Sequence, residues 1–339
     1  MIKDKKLRES LKGIFDGEIK IYDIDNFLQQ QGVLVDIHAG RSAGQATLNP
    51  KLYGVDVSKD GELSSFRNNH MIGEKISFLP RDLVKKFIAI ESSTRYKKKE
   101  LSMGFEDKYM PIEVFKEFNE YVKVQQEKYI EQRDIVLSQW DDLKIQFKKS
   151  VDIMLDKLDS LDKEEIKDLI YSKIPSRECF KADCKLELEV LAFPTSQNLA
   201  ILDEELSEEI KETLEKKSLK TVYEILGSIL SDSFDVLNNA MKKYDETDTF
   251  KTATLDSIKR LRERIIKRNI LKHPTIAELI DRLDLSQYVD DDEIQEALED
   301  ASVLIYAFAK SIDIDIFLDL NNSFLDEKSL QALSLAFKF

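Results

Sequence analysis

The amino-acid sequence predicts a mostly α-helical fold: a long helical hairpin or coiled-coil arm, a small mixed α/β base with a short β-sheet, and a C-terminal helical bundle. Three observations predict it. Gly (10) and Pro (6), the poorest helix formers, are scarce in 339 residues. A heptad-spaced seam of mostly apolar residues runs through 115–161. Two short runs, 32–38 and 186–193, carry the β-branched or alternating pattern of strands.

Residues 3–16 and 24–30 read as short helices, and Gly32-Val-Leu-Val-Asp-Ile-His38 as a strand. The Gly-containing stretch 39–61 with Pro50 reads as loop with at most one helical turn; 65–78 carries no assignable pattern. Pro80 opens a helix to about Leu101, placed where its missing N–H would be unpaired anyway. Leu83, Phe87, Ile90 and Thr94 share one face of it.

Pro111 opens the strongest element. Phe115, Val122, Tyr129, Val136 and Leu143 recur every seven residues, offset by Phe118, Gln125, Gln132 and Gln139. The stripe then passes to Trp140, Phe147, Met154 and Leu161, the drift expected when 3.6 residues per turn meets a seven-residue repeat. One helix over 111–159 is predicted, leaning on the helices of 80–101 and 203–245. A short helix, 162–172, ends before Pro175, and 185–193 reads as a strand sharing one small sheet with Val33–Ile37. Helices follow at 203–217, 219–245, 250–271, 275–284, 291–311 and 326–337, while 312–320 alternates Asp with Ile and reads as helix-free, a candidate strand. The segments fall at 1–79, 80–175, 176–202 and 203–339.

Net charge is -14, which opposes binding of the whole chain to nucleic acid or anionic membranes. Two cysteines, Cys179 and Cys184, exclude a disulfide scaffold. The polar opening MIKDKKLRES leads into no apolar stretch, so no secretory signal is predicted, and no run reaches the ~20 apolar residues of a membrane helix. A cytoplasmic location, in a bacterium or a phage-infected host, is the expectation.

Gly40-Arg-Ser-Ala-Gly44 matches the G-x-S-x-G of a hydrolase nucleophile elbow and follows a strand, but that elbow needs a helix after the serine, and Gln45-Ala-Thr-Leu-Asn-Pro50 does not make one. A glycine turn at a strand end is the simpler reading. Cys179 and Cys184 with His38 or His70 sketch a zinc site without the tight knuckle spacing of one. Asp290-Asp-Asp-Glu293 reads as a helix cap and first turn rather than a calcium loop. No phosphate-cradling glycine motif is present, and no catalytic, cofactor or metal residue is predicted.

Two basic clusters stand against the acidic background: Lys85, Lys86, Arg95, Lys97, Lys98 and Lys99 around Tyr96, and Lys259, Arg260, Arg262, Arg264, Lys267, Arg268 and Lys272. With Arg41 they are the candidate contacts for an anion or a partner. The plainer reading of each cluster is a solvated helix face paired with neighbouring Glu.

The order of several short motifs carries a resemblance. They are Gly32-Val-Leu-Val-Asp-Ile-His-Ala-Gly-Arg41, Leu48-Asn-Pro-Lys-Leu-Tyr-Gly54, Phe78-Leu-Pro-Arg-Asp-Leu83, Tyr109-Met-Pro-Ile112 and Ile174-Pro-Ser-Arg177 before the 186–193 strand. Over about half its length the chain resembles an uncharacterised-domain family of phage and prophage proteins. Members are often encoded beside a MoxR-type AAA ATPase and a von Willebrand A-type, cobalt-chelatase-like protein. The resemblance implies those two proteins as partners and carries over no catalytic residue. The expectation is a non-catalytic, protein-binding accessory or adaptor, with homo-oligomers open. The alternatives are a phage counter-defence protein that inhibits a host defence protein, and a nucleic-acid binder using the basic helix faces.

Overall fold

The computed structural model describes residues 21–42, 44–47, 68–72, 75–156, 163–195, 204–314 and 318–335. The fold is mostly α, with a small β part. Its helices are α1 (Ile21–Gln31), α2 (Arg81–Leu101), α3 (Ile112–Ser138), α4 (Trp140–Asp156), α5 (Lys163–Ser172), α6 (Arg177–Asp183), α7 (Glu204–Thr247), α8 (Thr252–Arg268), α9 (Pro274–Arg282), α10 (Asp291–Ser311) and α11 (Glu327–Ser334). The strands are β1 (Gly32–Gly40), β2 (Gln45–Thr47), β3 (Met71–Ile72), β4 (Lys75–Ser77), β5 (Tyr109–Pro111) and β6 (Lys185–Ala192), in sheets of order β5-β1-β6 and β2-β4-β3. The expected sharing of a sheet by 33–37 and 185–193 is therefore present. The second sheet forms in stretches that read as loop or without pattern, because strands this short carry too few residues to show a period. The helix expected at 3–16 and the Leu48–Gly54 motif lie outside the described residues.

The chain divides into two compact units that cut across the four segments expected from sequence. Met1–Val35, Leu101–Glu117 and Val190–Phe339 form the first, and Asp36–Glu100 with Phe118–Glu189 the second. The first is built on α7, against which α1, α8 and α10 pack. Val222, Leu226, Phe234, Leu237, Ile258, Leu261, Leu298 and Phe308 are buried in its core. Sequence placed a break in α7 at Ser218, but the helix is continuous, and the Thr221 and Ser233 hydroxyls find acceptors within it, donating to Lys217 O (2.8 Å) and Ile229 O (2.6 Å). Helix α10 begins with a reciprocal cap, in which Glu293 N donates to Asp290 Oδ1 (3.0 Å) and Val289 N to Glu293 Oε2 (2.8 Å). The alternating run after it starts as a turn rather than a strand, and Leu320–Asn322 is a short 3-10 helix.

Strand β1 meets β5 antiparallel, Gly32 opposite Pro111 and Leu34 opposite Tyr109. A Cβ on Gly32 would lie 2.5 Å from the Tyr109 ring, so only glycine fits there. Just before β5, Gly104, Phe105, Glu106 and Asp107 hold φ of 60°, 47°, 61° and 58° in succession. Each non-glycine residue there costs about 1–2 kcal/mol. Lys108 N and Tyr109 N both donate to Gly104 O, at 3.2 and 3.3 Å, closing the left-handed turn.

The second unit packs aromatic rings along the heptad stripe. Trp140 lies 5.0 Å from the Phe78 ring and 5.1 Å from Phe180, Phe147 lies 5.6 Å from Phe78, and Phe87 lies 4.8 Å from Tyr129. The single helix predicted for 111–159 is interrupted once, at Gln139, and ends at Asp156. The interruption falls where the stripe passes from Gln139 to Trp140: Gln139 stays in solvent, and the helix resumes as Leu143 N donates to Gln139 O (2.9 Å). Phe118, Val122, Tyr129, Val136, Trp140, Phe147 and Met154 are buried as predicted, but Phe115 is only half-buried. Of the two expected supports, α2 meets α3 through Phe87 and Tyr129, whereas α7 builds the core of the first unit.

Trp140 is 5% exposed, so Trp140→Ala should destabilise the protein by roughly 3–5 kcal/mol in urea denaturation. A loss under about 1 kcal/mol would show the stripe to be loosely packed.

His273 caps α9 by accepting from Thr275 N (3.2 Å), its ring 4.5 Å from Phe308. Burial pushes its imidazole down to about 4. The unfolded chain, near 6.5, therefore binds the proton more tightly, and stability falls as pH drops from about 6.5 towards 4. Between pH 7 and 5 this group should remove about 2 kcal/mol. His273→Asn keeps a capping acceptor and cannot titrate, so its stability–pH curve should be flatter by that amount. Parallel curves would refute the assignment.

Candidate functional site

Arg41 and the Ser42 of the G-x-S-x-G match line one cleft in the second unit. Strand β1 ends at Gly40, where an added Cβ would lie 2.5 Å from Asp183 O. The chain then turns through Arg41, Ser42 and Gly44 (φ +59) into β2. Gly44 is required twice over, because a Cβ there would also sit 2.8 Å from Lys173 O. The turn borders a cleft of about 530 Å³ lined by Ala39, Arg41, Ser42, Gly44, Gln45, Glu91, Lys173 and Pro175.

Arg41 does not face this cleft as a free cation. Its guanidinium donates to the Glu91 carboxylate of α2, with the two side chains 23% and 12% exposed. The Tyr129 hydroxyl of α3 lies 2.9 Å from the same carboxylate oxygen and 3.2 Å from Gly40 O. Burial, and then the hydrogen bond to Glu91, push the Tyr129 phenol well above its ordinary range. Ser42 Oγ donates to the Asp183 carboxylate at the end of α6. The turn is thus tied to α2, α3 and α6 by polar contacts that neutralise Arg41. Lys173 at the rim has no ion-pair partner among the described residues.

This geometry also decides the G-x-S-x-G match. Strand β2 follows Ser42, so there is no strand–turn–helix elbow. Of the two histidines downstream of Ser42, His70 is buried with its ring nitrogen 3.1 Å from Ser77 O and its ring 5.2 Å from Phe147. Burial lowers its pKa. Among the described residues no group of three His, Cys, Asp or Glu side chains is placed to hold a metal ion. Cys179 is exposed, while burial pushes the Cys184 thiol up to about 12.

The two basic clusters part company in three dimensions. In the second, Arg268 is 5% exposed and donates to the Asp232 carboxylate. Arg262 donates to Asp284 (2.9 Å) and Ile280 O (3.1 Å), Lys267 to Glu117 (2.8 Å), and Arg260 to Asp256 O (3.1 Å). Arg262 and Arg268 are thus internal wiring of the first unit and Arg264 is half-buried, while Lys259, Arg260, Lys267 and Lys272 stay exposed.

The first cluster also keeps charge outward. On α2, Lys98 turns in to Asp36 (3.1 Å) and Lys97 pairs with Glu100 (3.2 Å), while Lys85 meets Asp82 (3.3 Å). Lys86, Arg95 and Lys99 are exposed with no ion-pair partner among the described residues. Residues 81, 85, 88, 92, 95, 96 and 99 fall on one helical face. That face therefore carries Arg81, Lys85, Arg95 and Lys99, with Tyr96 at 73% and Ile88 at 42% exposure between them. Arg81, omitted from the sequence cluster, was recoverable from its four-residue spacing to Lys85. Sequence inspection also missed Lys216, Lys217 and Lys220 on one face of α7, whose spacing is equally regular.

Comparison with known proteins returned no match to a family model, a curated protein or a solved structure. Among the described residues no helix is long and apolar enough to cross a membrane.

If the Arg41–Glu91 pair holds the turn, Arg41→Ala should destabilise by about 2–3 kcal/mol, because it leaves a largely buried carboxylate without its cation. Urea denaturation of R41A and of the double variant R41A/E91Q separates the terms. The double variant should recover much of the loss, and equal losses would mean that the pair carries no such role.

Proposed function

We propose that this chain is a protein-binding accessory subunit that docks an acidic partner on the outward face of α2. The observation that carries the reading is the composition of that face: four basic side chains, with a tyrosine and an isoleucine held in solvent between them, on a chain of net charge -14. Exposed aromatic and basic groups side by side are the composition of interaction hot spots, where Tyr and Arg dominate. The basic stripe would steer an acidic surface, and the apolar groups would hold it. The sequence resemblance to proteins encoded beside a MoxR-type AAA ATPase supports that ring ATPase, or its von Willebrand A-type companion, as the partner.

Nucleic acid is a second reading, favoured by Tyr96 beside Arg95 and Lys99, since a ring and cations in one place suit base stacking on a charged track. The -14 charge of the chain weighs against it, as does the pairing of Arg262 and Arg268 of the second cluster with carboxylates.

The test is biolayer interferometry of the wild type and of Arg95→Glu/Lys99→Glu against a purified MoxR-type AAA ATPase, with a von Willebrand A-type protein as a parallel arm. The reversal variant should lose at least about tenfold in association rate at about 0.15 M salt, with its melting temperature unchanged. Full-rate binding by the variant, or no binding to either protein, defeats this proposal. Submicromolar binding to an oligonucleotide that the same reversal abolishes would install the nucleic-acid reading in its place.

A further inference from the structure

A second cavity, unrelated to α2, lies in the first unit between the left-handed turn and α7. Its volume is about 270 Å³. Thr213, Lys216, Lys217, Lys220 and Thr221 line it from one face of α7, and Phe105 faces them from the turn. We propose that this cavity binds a small organic anion, a phosphate or carboxylate joined to a single apolar ring.

A run of non-glycine residues at positive φ is kept only where the surroundings impose it, and such strain collects at sites that need a wall in a particular place. Here the turn is pressed against α7 so closely that a Cβ on Gly104 would come within 2.8 Å of the Thr221 side chain. The close contact at Gly104 leaves the next residue, Phe105, standing across the cavity from the lysines. Its ring also meets Phe193 edge-on, centroids 5.3 Å apart, which fixes its position.

Charge supplies the other half. Lys216 pairs with Glu212 (2.5 Å) and Lys220 with Glu224 (3.4 Å). Lys217 has no carboxylate partner among the described residues; its ammonium lies over the Phe105 ring, 5.2 Å from the centroid. A cation parked on a ring at the edge of a partly apolar cavity is arranged for a ligand whose anion replaces water at Lys217 and whose apolar body covers Phe105. Glu106 and Glu224 also line the cavity and bring its formal charge to +1, which favours one anionic group over a polyanion. The volume lies just below the usual range of ligand cavities, which begins near 300 Å³, so the ligand is ring-sized.

Phenyl phosphate is the probe, with inorganic phosphate and phenol as its two halves, measured by isothermal titration calorimetry on the full chain. Phenyl phosphate should bind about tenfold or more tightly than either half. Lys217→Gln with Lys220→Gln should weaken it by about tenfold, the loss of a hydrogen bond to a charged group, with the melting temperature unchanged. Phe105→Leu should weaken phenyl phosphate while leaving inorganic phosphate as it was. Lys259→Gln with Arg260→Gln, on a different basic cluster, should change nothing. No binding of phenyl phosphate, equal binding of phenyl and inorganic phosphate, or equal losses in the two lysine-containing double variants would each overturn the proposal.

Discussion

The β5 edge of the main sheet depends on one close approach, Gly32 against the ring of Tyr109. With any side chain at residue 32, β1 could not lie beside β5, because the added atom would sit inside the ring's contact distance. Tyr109 is itself immobilised: its hydroxyl donates to Leu28 O (2.9 Å), and its ring meets Phe193 at 5.7 Å. That anchoring fixes both flanks of β5. On one side the chain must reverse through the left-handed turn of 104–107. On the other, Ile112 starts α3 immediately after Pro111. A glycine and a tyrosine far apart in sequence thus set where α3 begins.

Elements with a long period were legible and short ones were not. The seam from Phe118 to Met154 showed in sequence because seven-residue spacing over many turns cannot arise from a sheet. The interruption at Gln139 was not legible: the stripe changes register there, but drift along one unbroken helix gives the same pattern. The continuity of α7 was missed because a polar Ser218 looks like a boundary until the neighbouring hydroxyls are seen to bond within the helix. Strands β2, β3 and β4 are two or three residues long, and no period can be read from so few. The left-handed turn left no trace beyond Gly104, as Phe105 and Glu106 have no preference for positive φ.

Charge was legible only as composition. Arg262, Lys267 and Arg268 crowd together in sequence as though they formed one basic patch, yet each is taken by a carboxylate from a distant segment, Asp284, Glu117 and Asp232. Arg41 follows the same rule, since Glu91 lies fifty positions away. Local clustering of like charge therefore says little until the partners are placed, because ion pairs between segments are a product of the fold. The α2 stripe survives this sorting because its helical spacing turns Arg81, Arg95 and Lys99 outward together.

The interleaving of the two units has a consequence for how the protein is made. Residues 36–189 contain the whole second unit, interrupted by the short excursion of 101–117, whereas the first unit opens with Met1–Val35 and is completed by Val190–Phe339. During synthesis the second unit is complete when Glu189 leaves the ribosome, while α1 and β5 still lack α7, α8 and α10. Until those helices arrive, Leu28 and Tyr109 are held out of their core. Residues 21–35 are thus among the last to be buried, and the nascent chain carries an exposed apolar surface while Val190–Phe339 is being translated.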